Sequence, residues 1–135
     1  MSYPDRPQAS ASFVSAGDVP TQQIGATTAR FVATGSLTDQ RYGLFRWDMT
    51  GASGGADPHI HRTFSEAFYL LDGIVSVYNG AGWRDARPGD FLYVPPDSAP
   101  AFRNQSGAPA SMLILFAPGP PRETHFCVSR TVAYS

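Results

Sequence analysis

Turn signals recur so closely along this chain that a long helix has little room to form. Asp72-Gly73, Asn79-Gly80, Arg87-Pro88-Gly89-Asp90 and Pro95-Pro96-Asp97 break up its middle, and each favours a tight reversal of the backbone. The segments they leave are strand-sized: Ile74–Tyr78, Gly82–Ala86 and Phe91–Val94, followed by Ala99–Asn104 and Ala110–Phe116. Upstream, Arg30–Ser36 and Tyr42–Thr50 read the same way, with Phe45, Trp47 and Met49 on one face and Arg46 and Asp48 on the other. Glu66–Leu71 alternates Glu66, Phe68 and Leu70 against Ala67, Tyr69 and Leu71. Both of its faces are bulky, as in a strand with one side lining an interior and the other packing outward. No stretch of 3.6-residue period and no internal repeat competes with this pattern. The expectation is an all-β domain of short strands closing into a small barrel.

Two of the three histidines, His59 and His61, stand one residue apart after the glycine-rich stretch Gly51–Asp57, and Glu66 follows five residues later. Alternate side chains of an extended segment share a face, so the two imidazoles point the same way. A short turn through Arg62–Ser65 returns Glu66 beside them. Two imidazoles and a carboxylate form a three-ligand site of the kind that holds Fe(II), Mn(II), Ni(II) or Zn(II). Without further context, such a pair is more often a structural or surface feature than a pair of ligands.

The spacing His59-x-His61, four residues, Glu66, six residues, Gly73 resembles the first signature of the cupin superfamily. A second signature follows after fifteen residues (74–88), in Gly89-Asp90, Pro95 and Asn104. The run from about Gly43 to Pro118 is similar to small single-domain bacterial cupins, some of them quercetin 2,3-dioxygenase-like. The resemblance implies a single cupin-type β-barrel, a double-stranded β-helix or jelly roll. It also implies a divalent metal on His59, His61 and Glu66, with Glu66 able to act as a base. The chain departs from the pattern at three places. Pro100 stands where the fourth ligand, a histidine, is expected; Asp97 replaces a turn glycine; and Ser53 takes the place of the leading glycine, with Gly54 beside it. A proline side chain cannot ligate a metal.

Two functions follow from this. One is a metal-dependent enzyme on a small organic molecule, an oxygenase of the quercetinase-like kind. The other is a metal-free or degenerate cupin, a binding or isomerase/cyclase-like pocket in which Pro100 marks lost metal chemistry. In either, Met49, Phe68, Pro100, Phe102 and Met112 are expected to line the pocket, since core and pocket wall coincide in a small barrel. His125 is a distant candidate for the missing ligand. Cys127 reads as a small apolar residue rather than a nucleophile.

Composition removes other classes. At 135 residues the chain has length for one core. A net charge of −1 argues against nucleic acid or an anionic membrane as partner. Every basic residue other than histidine is arginine, which excludes Schiff-base and lysine-nucleophile chemistry. One cysteine and a polar, proline-containing start are expected of a cytoplasmic protein without a signal peptide. The expected layout is an N-terminal arm over 1–20, a barrel over 21–121 and a tail over 122–135. A homodimer is expected, with Tyr69 and Leu71 on an apolar outer face and the terminal segments at the interface.

Overall fold

Gly43–Met49 (β3) shows how the chain sorts its faces. Phe45, Trp47 and Met49 are buried at 1–2% exposure, while Arg46 and Asp48 turn outward and pair at 2.9 Å. The computed structural model describes residues 10–51, 55–56 and 63–119, with the backbone alone at 55–56. Around β3, the other strands among the described residues are Thr21–Ile24 (β1), Thr27–Ala33 (β2), Gly55–Ala56 (β4), Ser65–Asp72 (β5) and Val75–Tyr78 (β6). Trp83–Ala86 (β7), Phe91–Val94 (β8), Ala101–Arg103 (β9) and Ala110–Ala117 (β10) complete the set. One short 3-10 turn, Ala16–Asp18, precedes them, and no α-helix occurs among the described residues. No described helix is long and apolar enough to cross a membrane.

The strands form two antiparallel sheets, β1-β2-β3-β10-β5-β8 and β4-β9-β6-β7. The architecture is all-β, as the turn spacing predicts, and is the jelly roll that the cupin resemblance implies. Register lines the inward residues of the larger sheet into rows. Gly43, Phe116, Glu66 and Val94 form one; Phe31, Phe45, Ile114, Phe68 and Leu92 the next; Ala29, Trp47, Met112 and Leu70 the third. The smaller sheet answers with Val75, Val77, Ala86 and Phe102, and all share one core. Phe102 joins the two sheets, meeting Phe68 at 5.5 Å and Trp47 at 6.2 Å, both edge-on.

Punctuation residues act as their chemistry dictates. Gly73 turns β5 into β6 at φ 75°, and a Cβ there would lie 2.4 Å from the Pro109 carbonyl oxygen. No L-residue satisfies both constraints. Asn79 accepts hydrogen bonds from the Ala81 and Gly82 amides at 2.9 and 3.0 Å, closing the β6–β7 hairpin. Asn104, almost fully buried, uses all its bonding capacity. Its amide donates to the carbonyls of Thr50 and Ala108, and its oxygen accepts from the Ser106 amide and hydroxyl.

The structure corrects the sequence reading at two places upstream. The first long strand runs Thr27–Ala33 rather than Arg30–Ser36, and it is preceded by β1, with which it forms a hairpin around Gly25 at φ 59°. Residues 34–40 instead turn, with Asp39 and Gln40 both left-handed. The glycine-rich stretch before His59 also contains β4, two residues paired to β9.

On the outer face of β3, Asp48 accepts hydrogen bonds from Arg30 Nε at 2.7 Å, Arg46 Nε at 2.9 Å and Ser111 Oγ at 2.7 Å. Partial burial pushes its carboxyl up, but these bonds outweigh that and hold it below the usual carboxylate range. A carboxyl depressed by folding stabilises the fold at pH values above its unfolded pKa, about 3.9, and loses that contribution as pH falls through the folded value. Asp48→Asn should therefore lower the melting temperature at neutral pH. The gap to wild type should shrink as pH drops below about 4. A gap independent of pH in thermal melts would mean that the bonds do not depend on the charge.

Candidate functional site

Glu66 opens the inward face of β5. Its neighbours in register are Phe116 on β10 and Val94 on β8, so hydrogen-bonded strands hold it from both sides. The residue is 1% exposed. Phe64, just before β5, packs edge-on against Phe116 at 5.3 Å and adds an apolar wall at the same level. A carboxylate so far removed from water is costly unless a cation or hydrogen-bond donors serve it. Chemically, the position suits a metal ligand or a proton acceptor inside the fold.

His59 and His61, the other two residues of the expected ligand set, lie outside the described residues, as do Arg62, His125 and Cys127. β4 ends at Ala56, three residues before His59 in the sequence, with Ala56 opposite Phe102. Pro100 lies two residues upstream of Phe102 and is buried. Asp97 adopts φ 66°. That left-handed conformation is the one a glycine supplies most easily, and aspartate is among the few other residues that take it.

The expected pocket residues are all buried, but register spreads them along the sheet. Phe68 is one row from Glu66, opposite Ile114, and touches Phe102. Met112 is four residues of β10 from Phe116, roughly 13 Å at the rise of a strand. Met49 pairs with Ala110 at the far end, roughly 20 Å from the Glu66 row by the same measure. Phe68 is thus the expected wall residue that register sets nearest Glu66, and Met49 belongs to the opposite end of the core. Among the arginines, Arg46 pairs with Asp48. Arg103 stacks over the Trp83 ring at 4.4 Å, a cation–π contact the sequence did not flag.

Comparison with known proteins agrees with this geometry. The cupin-domain profile matches residues 46–116. Among proteins of curated function, none matches the chain in sequence. Solved structures do superpose on it. An RmlC-like cupin from Shewanella frigidimarina is 19% identical, with 85% of this chain and 97% of that one covered at a TM-score of 0.68. KdgF from Halomonas sp. is also 19% identical, covering 83% of this chain and 97% of its own at 0.69. The polyketide cyclase RemF from Streptomyces resistomycificus, again 19% identical, covers 87% of each chain at 0.68. At such identities these likenesses bear on the fold. Together with the profile match across more than half its length and the two facing sheets, they establish that the chain belongs to the cupin family.

Proposed function

We propose that this chain is a small-molecule enzyme of the cupin type, using a divalent metal held by His59, His61 and Glu66. The observation that carries the reading is the near-complete burial of Glu66 on the inward face, at the carboxylate position of the first motif. Fe(II), Mn(II), Ni(II) or Zn(II) bound there would supply Lewis-acid polarisation of a substrate oxygen, and a redox-active ion would also supply oxygen activation. The chain's own residues do the remaining work. β10 and β8 fix the Glu66 carboxyl from either side, so its direction does not depend on a loop. Phe64 and Phe116 keep water from that end of the core. A substrate proton can be accepted at a Glu66 carboxylate oxygen, with the low-polarity surroundings strengthening that contact. The quercetinase-like resemblance makes an oxygenase the first reaction to assay.

A metal-free pocket of the isomerase or cyclase kind is the second reading. Buried Pro100 favours it, because that position offers no ligating atom where the family pattern has a histidine. The fold likeness to a polyketide cyclase is compatible with it. Metal analysis separates the two. Untagged protein purified without chelator, then titrated with each of the four ions, is expected to bind one ion per chain. Glu66→Gln and His59→Ala should each remove the binding. Wild type with no metal and no binding heat would overturn the metal reading in favour of the metal-free pocket.

A further inference from the structure

Along one side the two sheets do not meet. β8 ends the larger sheet, β7 ends the smaller, and no ladder joins them. A cavity of about 260 Å³ opens between these edges. Phe68, Leu70 and Leu92 form one wall, and Val77 and Ala86 the other. At about 30 Å³ per water this is room for roughly nine waters, or one small organic molecule.

Arg84 completes the cavity from β7. Its register partner is Val77, and two residues on Ala86 opposes Val75. Val75, Val77 and Ala86 are all buried, so alternation puts Arg84 on the inward face of the hairpin, at the solvent-exposed mouth of the slot. Asp85, which also lines the cavity, accepts a hydrogen bond from Ser76 Oγ at 2.8 Å. Asp90, on the opposite wall, accepts from the Arg87 amide at 2.8 Å within its own turn. Among the described residues the Arg84 side chain makes no hydrogen bond and no ion pair. A guanidinium at an inward-facing position, over an apolar floor and with its five donors unused, matches an anion with a greasy body.

We propose that this slot binds a small monocarboxylate carrying an aromatic or short aliphatic body. The carboxylate lies in the planar fork of Arg84, and the body lies against Phe68, Leu70 and Leu92. A neutral molecule leaves the guanidinium unserved. The slot is separate from the Glu66 end of the core. Phe68 pairs with Leu92, whereas Glu66 pairs with Val94 in the next row, and neither Glu66 nor Val94 lines the cavity.

Calorimetric titration of the full chain with phenylacetate, and with 2-phenylethanol as a neutral counterpart, tests the proposal. Phenylacetate should bind at one site with affinity well above that of the alcohol. Arg84→Gln should weaken phenylacetate by about 10- to 100-fold, the range expected for losing a charge-assisted hydrogen-bond pair, and leave the alcohol unchanged. Leu92→Trp, filling the slot from a half-buried position, should abolish both. Glu66→Gln should change neither, which separates this slot from the proposed metal site. Thermal melts establish that each variant is folded. Equal phenylacetate affinity in wild type and Arg84→Gln, loss of binding in Glu66→Gln, or no saturable binding to folded wild type at millimolar ligand would each overturn the proposal.

Discussion

Replacing Phe102 with alanine should cost about 3–5 kcal/mol of stability, the range for truncating a fully buried phenylalanine. Its exposure is zero, and it is the ring at which the two sheets meet. Trp47 approaches it from the larger sheet at an interplanar angle of 88°, Phe68 at 78°, and its own strand neighbours are Val77 and Ala56. Alanine would remove both edge-to-face contacts and leave a void between surfaces that hydrogen-bonded ladders hold apart, so collapse cannot fill it. Domains of this size are stable by about 5–15 kcal/mol, so the variant sits near the edge of folding. With a urea slope of about 1–3 kcal/mol per molar, the midpoint should fall by roughly 2 M. Phe13→Ala, at a residue 90% exposed, is the control and should move it negligibly. A fall of well under 1 M for Phe102→Ala would mean that the sheets are held together elsewhere.

The same core shows why part of this architecture can be read from sequence. Phe91–Val94 was delimited correctly because Gly89-Asp90 and Pro95-Pro96 punctuate both ends, and those residues have few backbone options. On β5, the period of two separates Glu66, Phe68 and Leu70 from Tyr69, and the motif resemblance at Glu66 says which of these faces turns inward. β1 was missed for a physical reason. Thr21–Ile24 is an edge strand whose exposures are all exposed or half-buried, so no apolar alternation announces it, and its pairing with β2 rests on backbone bonds. Asp39 and Gln40 turn the chain in left-handed conformations without a glycine to flag them. Arg84 was overlooked likewise. Trp83-Arg84-Asp85 carries no pattern that says which way the middle residue faces, and only its register with Val77 decides it. At the candidate site, Glu66 was legible as an inward carboxylate. The level of each wall residue was not, because the distance of Met49 or Met112 from Glu66 depends on cross-strand register, a long-range property.

Pro100→His should tighten divalent metal binding by about 100-fold or more if the metal reading of Glu66 is right. Losing a group that merely orients a ligand already costs about 10–100-fold in metal affinity, and a new imidazole adds a direct bond. Pro100 is buried two residues before Phe102, on the segment that leads into β9. A side chain at this point starts from a backbone anchored by pairing with β6 at Ala101 and Phe102. Two terms oppose the gain. Removing a proline frees the unfolded chain by about 0.4–1 kcal/mol, and the imidazole must find an acceptor for its second nitrogen. Both are smaller than the expected benefit, so affinity should rise while the melting temperature of the metal-free variant falls slightly. Adding metal should then raise that temperature more in the variant than in wild type, since a ligand that binds only the folded state stabilises by RT ln(1 + L/Kd), with L its free concentration, and the variant has the smaller Kd. Glu66→Gln in the Pro100→His background should return binding to negligible levels. Equal, negligible heats for wild type and Pro100→His across Fe(II), Mn(II), Ni(II) and Zn(II) would show that His59, His61 and Glu66 are not poised around an ion. The proline would then mark a cupin whose interior recognises its ligand with carboxylate and aromatic groups alone.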